Sequence, residues 1–284
     1  MLWVCPSCRV ELNDLLCPAC EVRYPVTEHG QPDFRPTAAR VITHSYRYDP
    51  VFGRFSWDQV RLSWPDAGTG LAFTGEIVER QMLRAVARAS TGAVALDIGC
   101  GEARQRFRDG LSALGYAPLG LDIHGPAADA LADAHCLPLP DAHVDLVMTS
   151  AVFEHLKHPP IAMAEVARVS KPGARFVGSV AFGEPFHISY YHHSPLAVYD
   201  LLDASGFEIS AIVLDARWSA IKAHLHMGYV GQRVPRFLHG LLAGLVREWA
   251  ILPMRLRGDA HSGRLAFARS HSGLVGFVAT RREQ

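Results

Sequence analysis

The sequence predicts an α/β fold: a doubly wound sheet, preceded by a small four-cysteine ribbon and interrupted by a helical insertion before its last strand. Four cysteines form two closely spaced pairs within the first twenty residues. Apolar runs typical of buried strands alternate with helical segments from residue 93 onwards. A chain of 284 residues is long enough for one full domain of this class with small additions.

The composition narrows the functional class. Hydrophobic residues make up 49% of the chain and the formal net charge is zero, so we expect a substantial core and no general attraction to nucleic acid. We see no signal peptide and no apolar stretch of about 18 residues that would span a membrane. The six cysteines are not spaced like a secreted disulfide framework. These features predict a cytoplasmic protein.

The ribbon, residues 1–37, carries the spacing C-x2-C-x8-C-x2-C. The four cysteines are Cys5, Cys8, Cys17 and Cys20, and each pair lies on a proline-containing turn. Two such turns bring four thiolates together in the closed tetrahedral site of structural Zn2+. Two disulfides or a redox pair are the alternatives, disfavoured because nothing indicates secretion and no strand and helix surround the pairs. A site with four protein ligands leaves no position open for catalysis.

The charge of the ribbon bears on its role. Up to Phe34 it contains two arginines against five acidic residues. A net acidic surface is a poor ligand for phosphates. We therefore expect the ribbon to dock on the rest of the protein rather than to bind nucleic acid.

The core, residues 93–216 and 273–284, begins with AVALDIGCG (93–101), a strand that ends in two glycines. Such glycines let the backbone approach a nucleotide closely. Asp122, at the end of a second strand, is placed to accept hydrogen bonds from ribose hydroxyls. The remaining predicted elements are helices 102–114, 160–170 and 195–205 and strands 118–123, 144–149, 175–182, 207–214 and 273–280.

The ordered motifs LDIGCG, LGLDI, DAHCLPLPDAHVDLV, AVFEHL and EVARVSKPGARF resemble those of the class I S-adenosylmethionine-dependent methyltransferases of the small-molecule type. The resemblance covers roughly residues 94–214 and implies a Rossmann-like sheet with S-adenosyl-L-methionine as cofactor. Residues 22–34 also resemble the zinc ribbons that are fused to, or partner, many methyltransferases. Ala174 departs mildly from the pattern, which usually has a glycine there. By this resemblance the cofactor is bound by Asp97, Gly99, Gly101, Asp122, Ile123, Asp133, Ala134 and Ser150.

A dinucleotide-dependent dehydrogenase is the competing interpretation of the core. Its glycine fingerprint requires a third glycine at position 104, where this chain has arginine. The LPLPDAHVDLV run also has no place in that fingerprint. The methyltransferase interpretation is therefore preferred.

Candidate catalytic residues fall in two places. Glu154 and His155 follow the strand 144–149, where a structural role is the main alternative. The loop 182–195 packs aromatic and histidine side chains where an acceptor would lie. The candidates are His155, His187, Tyr191, His192 and His193. A catalytic metal held by three histidines of the loop is disfavoured because their spacing repeats no known site.

Two further segments flank the core. Residues 38–92 are expected to form a helical cover over the active site, with a helix at about 75–89. In that segment aromatic residues either wall the pocket or belong to the core; they are Tyr46, Tyr48, Phe52 and Trp57.

The insertion, residues 217–272, contains nine basic residues against Glu248 and Asp259. A helix is predicted over 236–252, ended by Pro253. One face of it is apolar and consists of Phe237, Leu238, Leu241, Leu242, Leu245, Val246, Trp249 and Leu252. The face packs on the core or on a second subunit, or it serves as an acceptor lid, an anionic-lipid contact or an RNA patch.

The sequence thus favours a methyltransferase that acts on a small metabolite, apolar or anionic. Methylation of an RNA base and a non-catalytic docking or activator subunit are the alternatives. Nucleic acid is not expected as a partner, whereas peripheral lipid contact and a homodimer both fit the insertion.

Overall fold

The structure, a computed structural model, describes residues 2–37, 55–68, 78–101, 105–185, 187–215, 218–228 and 233–283. The strands are β1 (Val60–Arg61), β2 (Val94–Ile98), β3 (Ala117–Asp122), β4 (Ala130–Leu131), β5 (Val144–Ser150), β6 (Ser170–Ala181), β7 (Phe207–Val213) and β8 (Leu274–Arg281). The helices are α1 (Val78–Leu83), α2 (Gln105–Ala113), α3 (Pro159–Val169), α4 (Pro195–Ala204), α5 (Ala220–Met227), α6 (Arg236–Leu256) and α7 (Ala260–His271).

The strands form one sheet in the order β1-β7-β8-β6-β5-β2-β3-β4. Only β8 runs antiparallel to its neighbours, so the carboxyl ends of all the other strands meet at one edge of the sheet. This edge is where ligands bind in open α/β sheets. The predicted doubly wound α/β fold is confirmed.

The start of β6 differs from the sequence expectation. The strand begins at Ser170 instead of after Gly173, and α3 ends one residue earlier than predicted. Ser170 pairs with Val144, and the register then shifts before Leu146 pairs with Arg175. This irregularity accommodates Pro172 and Gly173 at the amino end of the strand, where a missing ladder hydrogen bond is tolerated.

The segment 38–92 is not solely a helical cover. Its described part contributes β1, an edge strand parallel to β7. The predicted helix 75–89 ends at Leu83 instead of at 89. The chain turns away there, and the carbonyl of Arg84 accepts a hydrogen bond from the amide of Ala67. Trp57 packs under the guanidinium of Arg269, 4.0 Å from its ring centroid. Tyr46, Tyr48 and Phe52 lie outside the described residues.

The ribbon docks on the β4 edge of the sheet, as expected. Asp33 and Leu131 form a parallel bridge, and the amide of Phe34 donates to the carbonyl of Leu131 at 2.7 Å. The Phe34 side chain is fully buried and belongs to the same apolar cluster as the sheet. Arg9 of the ribbon reaches Glu165 on α3. Ribbon and sheet therefore share one core.

The insertion forms α5, α6 and α7 between β7 and β8, at the carboxyl edge of the sheet. The prediction that Pro253 ends the long helix is wrong, since α6 continues to Leu256. A proline so near the end removes one backbone hydrogen bond, and only one further turn follows it. Among the described residues, no helix is long and apolar enough to cross a membrane.

Of the alternatives for the apolar face of this helix, packing on the core does not hold in the structure. Phe237 and Trp249 are 80% and 78% exposed, while His239, Ala243 and Ile251 on the opposite side are buried. The helix docks through these three residues, and α5 and α7 approach it closely on that side. A Cβ on Gly263 of α7, for example, would be 3.3 Å from the Cβ of Ile251.

Candidate functional site

The glycine loop after β2 lies against the end of β3. Gly99 has a φ of +69°, and a Cβ at this position would be 2.2 Å from Cγ2 of Val152. The amides of Gly99 and Cys100 both bond to the carbonyl of Leu121. Glycine is therefore required at position 99 by both conformation and space.

Asp122 connects this loop to β3. Its Oδ2 accepts a hydrogen bond from the amide of Gly101 at 2.7 Å, and its Oδ1 accepts one from the amide of His124 at 3.1 Å. The carboxylate is only 8% exposed. Nδ1 of His124 also lies 3.0 Å from Oδ1. Because a carboxylate has about four acceptor positions, one remains for a hydroxyl group of a ligand, and a second becomes free if the exposed His124 ring turns away.

The other predicted cofactor residues also lie at this edge. Asp97 is buried near the end of β2, and Ile123 directly follows β3 with 55% of its surface exposed. Asp133, followed by Ala134, lies just after β4, and its Oδ1 is 2.6 Å from Nδ1 of His135. Ser150 ends β5, with its hydroxyl 3.3 Å from that of Ser179. The structure thus gathers all eight residues at the carboxyl edge of β2 to β5.

A pair of histidines faces the same edge beyond β5 and β6. The ring centroids of His155 and His187 are 5.1 Å apart. Nδ1 of His155 lies 3.0 Å from the carbonyl oxygen of Ile188, and Nδ1 of His187 lies 2.9 Å from that of Pro185. In neutral rings Nδ1 then carries the proton, which leaves the Nε2 lone pair available for a proton or a metal.

Two buried glutamates adjoin this pair. Glu154 is fully buried, its Oε1 accepts a hydrogen bond from the amide of Ala181, and burial raises its pKa to about 7. Glu184 accepts from Nε1 of Trp218, and its Oε2 is 3.9 Å from Nε2 of His187. Burial also raises the pKa of Glu184.

We call His155, His187, Glu154 and Glu184 the histidine–glutamate cluster. Three of its members, Glu154, His155 and His187, place donor atoms within 4.8 Å of one another, so they could hold a metal ion. Glu184 was not among the residues predicted from the sequence. The one feature that could have indicated it is its position, three residues after the end of β6 and just before the aromatic run.

The three remaining catalytic candidates have other surroundings. His192 lies 6.1 Å from His187 between ring centroids, but both its nitrogens contact neighbouring oxygens, of Phe182 and Ser189. The Tyr191 hydroxyl donates to the carbonyl of Lys157. His193 is buried against apolar side chains such as Phe153 and Met163, and burial lowers its pKa. The structure therefore does not bring Tyr191 and His193 into the cluster.

Comparison with known proteins identifies this architecture. Residues 96–178 match the family model described as a methyltransferase domain. This stretch, less than a third of the chain, is similar to a methyltransferase domain. The matched stretch runs from β2 into β6 and so includes the glycine loop, Asp122 and Glu154–His155.

Individual relatives of the methyltransferase domain are more distant. A 37.1 kDa protein of transposon TN4556 from Streptomyces fradiae is 34% identical over 115 residues, which cover 34% of this chain and 31% of that protein. This chain thus matches about a third of the length of that relative.

Three solved structures resemble the chain with TM-scores below 0.5. The [4+2]-cyclase SpnF is 19% identical, over 72% of this chain and 82% of its own, with a TM-score of 0.45. A chain from the Haloferax volcanii complex of the Trm112 methyltransferase activator and a candidate methyltransferase is 16% identical, over 71% and 88%, with a score of 0.47. A Mesorhizobium loti S-adenosylmethionine-dependent methyltransferase is 18% identical, over 72% and 97%, with a score of 0.42.

A cavity of about 310 Å³ adjoins the methyltransferase domain at the end of β7. Arg247 of α6 and Arg264 of α7 line it, together with Asp215 and Ser219. The residue before Ser219 is Trp218, which bonds to Glu184 of the histidine–glutamate cluster. The consecutive residues Trp218 and Ser219 therefore contact the cluster and the cavity, respectively.

The four ribbon cysteines converge on one point. Their sulfurs lie within 4.8 Å of one another, and Sγ of Cys8 is 3.4 Å from Sγ of Cys17. None of the four is in a disulfide. Tetrahedral thiolates about 2.3 Å from Zn2+ are about 3.8 Å apart, so the arrangement fits the size of that ion.

Proposed function

We propose that the protein is an S-adenosylmethionine-dependent methyltransferase whose acceptor is a small molecule, apolar or anionic. The observation that carries the proposal is the position of Asp122 and the glycine loop at the same sheet edge as the histidine–glutamate cluster. Asp122 would hold the ribose hydroxyls, the loop at Gly99 and Gly101 would border the methionine part, and Asp133 and Ala134 would border the adenine.

In this proposal the residues of the chain position the acceptor and take its proton. Bound S-adenosylmethionine supplies the methyl group together with its own leaving group. His155 or His187 would accept at Nε2 the proton that the acceptor loses on methylation. Alignment of the acceptor contributes most of the rate, and proton removal contributes when the acceptor is protonated.

The surroundings of the cluster support a small acceptor. The loop that carries His187 folds back on Glu154, whose carbonyl accepts hydrogen bonds from the amides of Tyr190 and Tyr191. The backbone of this loop thereby closes one side of the cluster, which limits the size of an acceptor. Arg247 and Arg264 in the neighbouring cavity offer positive charge to an anionic group.

The four ribbon cysteines, in this proposal, hold one structural Zn2+ per chain. The size of the four-sulfur site supports this, and so does the docking of the ribbon on the β4 edge. A closed four-thiolate site gives the metal a role in folding rather than in catalysis.

The proposal is tested by methyl transfer from S-adenosylmethionine labelled in its methyl group. The full chain is incubated with a small-molecule extract and, separately, with total RNA. We expect label in the small-molecule fraction. The rate of labelling should fall by at least about 100-fold in His187→Ala. It should be unchanged in His224→Ala, because His224 is an exposed histidine on α5. Label in RNA alone would contradict the proposed acceptor class.

A further inference from the structure

The outward side of α6 is a largely apolar surface, with the Glu248–Arg255 ion pair at one margin. Along it lie Phe237, Leu241, Leu245, Trp249, Leu252 and Leu256, which are between 44% and 80% exposed. At 100° per residue these six side chains fall within an arc of about 120° and extend along a helix about 31 Å long. Single exposed apolar residues are ordinary, but a contiguous patch of this size marks an interaction site.

This outer face cannot be the surface that α6 packs on its own domain. His239, Ala243 and Ile251 on the opposite side are buried, and the His239 ring lies 5.8 Å from that of His226 on α5. Ala243 and Leu245 point in nearly opposite directions, since two residues turn the helix by about 200°. The contacts with α5 and α7 therefore hold the outer face away from the protein.

The charges around the outer face are positive. Arg233 and Arg236 lie at the amino end of α6, and Arg255 and Arg257 lie at its carboxyl end. From residue 218 to 272 only Glu248 and Asp259 are acidic. Glu248 is already shared by Arg247 and Arg255. The partner of this face must therefore be apolar in its interior and anionic at its surface.

We propose that the outer face of α6 docks on an anionic phospholipid bilayer, with the helix axis in the plane of the membrane. Phe237 and Trp249 then enter the boundary between headgroups and acyl chains, and the terminal arginines contact lipid phosphates. This combination of Trp, Phe and Leu with arginines is that of a helix that lies in a membrane interface.

Two other occupants fit less well. In a symmetric dimer formed by antiparallel α6 helices, Arg236 of each copy would face Arg255 and Arg257 of the other, so like charges would meet at both ends. RNA would contact the arginines but would leave leucines without a partner, because single-stranded bases stack on aromatic rings rather than on leucine.

Docking would also place the proposed active site close to the lipid. Arg247, on the inner side of the same helix, lines the cavity beside the histidine–glutamate cluster. This part of the inference rests on the proposed function and makes the acceptor a molecule that partitions into, or lies at, the membrane surface.

Cosedimentation of the full chain with vesicles tests the docking. We compare vesicles of phosphatidylcholine alone with vesicles that contain about 30% phosphatidylglycerol. Wild type should bind the anionic vesicles at least about tenfold better, and binding should fall as salt rises from about 50 to about 500 mM. The double variant Phe237→Ser/Trp249→Ser should lose at least about tenfold of the partition coefficient, because both side chains are exposed and their removal leaves the fold intact.

Val26→Ser is the matched control, since Val26 is 56% exposed on the ribbon, and its partitioning should equal that of wild type. Equal binding of wild type to neutral and anionic vesicles, or no binding to either, would overturn the docking. So would a wild-type dimer in sedimentation velocity that becomes a monomer in the double variant. Calorimetry with S-adenosylmethionine in the absence of vesicles separates the two proposals: without cofactor binding the proposed function fails, whatever the vesicles show.

Discussion

Arg9 and Glu165 are 156 residues apart in the sequence, and the guanidinium of Arg9 donates two hydrogen bonds, of 2.7 and 2.8 Å, to the Glu165 carboxylate. Arg168 donates two more to the same group, each of 2.9 Å. Burial raises the pKa of Glu165, but the hydrogen bonds and charges of the two arginines outweigh it and hold the pKa below its usual value. One buried carboxylate thus joins the ribbon to α3.

Arg9→Ala should lower the free energy of unfolding by about 1.5–3 kcal/mol at pH 7, the range for hydrogen bonds to charged groups. Arg23→Ala is the control: Arg23 pairs with Asp14 on the ribbon surface, and that exposed pair should contribute less than about 1 kcal/mol. Denaturant titration measures both. Equal effects of the two variants would mean that the Arg9–Glu165 contact does not hold the ribbon.

The same carboxylate predicts a pH dependence. The pKa of Glu165 in the folded state is below its ordinary value of about 4.5, so its contribution to stability is present above about pH 4.5 and is lost as the pH falls through the folded-state pKa. The stability difference between wild type and Glu165→Gln should therefore shrink as the pH is lowered below about 4.5. A difference that stays constant over this range would contradict the ion-pair explanation.

Asp122→Ala should weaken binding of S-adenosylmethionine by about 1.5–3 kcal/mol. The variant removes the proposed ribose acceptor and also the group that holds the amide of Gly101. Glu208→Ala, an exposed residue of β7, should leave the affinity unchanged. Isothermal calorimetry decides the matter, and unchanged affinity in Asp122→Ala would place the cofactor elsewhere.

Cys17→Ser should abolish the binding of about one Zn2+ per chain and destabilise the ribbon, while affinity for S-adenosylmethionine stays nearly intact. Metal analysis after dialysis, combined with calorimetry, measures both effects. Cys136→Ser is the comparison, because Cys136 lies outside the ribbon and should not change the zinc content. Zinc retained in full by Cys17→Ser would exclude the four-thiolate site.

The histidine–glutamate cluster can act as a proton acceptor or as a metal site, and chelation separates the two. If His155 and His187 only accept a proton from the acceptor, activity of the zinc-loaded protein should survive added EDTA. Activity that EDTA removes and Mn2+ restores, in wild type but not in His187→Ala, would show a metal at the cluster.

On α6, Leu241→Ala and Leu245→Ala should each change stability by less than about 0.5 kcal/mol, because both side chains are exposed. Ala243→Leu, on the buried side, should cost about 1–3 kcal/mol through overpacking against neighbouring helices. Thermal and denaturant unfolding measure all three variants. The reverse order would mean that the outer face is buried in solution.

Much of the core was predictable from local patterns. The run AVALDIGCG predicts a buried strand followed by a glycine turn. In the structure Gly99 has a positive φ and lies against Val152, so both its conformation and the space around it require glycine. The spacing of the four ribbon cysteines in two C-x2-C pairs likewise predicted that their sulfurs converge, because each pair lies on a tight turn. Where a short motif specifies both conformation and chemistry, the sequence alone is sufficient.

The orientation of α6 could not be predicted in this way. An apolar stripe normally indicates the buried side of a helix, yet here the contacts of Ala243 and Ile251 with flanking helices decide the orientation. The strand β1 was also missed, because two residues carry no periodic signal and depend on pairing with β7. Glu184 lies beside His187 and is bound by Trp218, and the second contact joins residues 34 apart that no local pattern connects.

The bridge between Asp33 and Leu131 has a consequence for the cell's handling of this protein. β4 is two residues long and ends the sheet, so without the ribbon its outer backbone groups would be open to any extended chain. The docked ribbon thereby protects an aggregation-prone edge. If its cysteines hold the proposed zinc, shortage of zinc during synthesis should deplete the protein through misassembly and degradation.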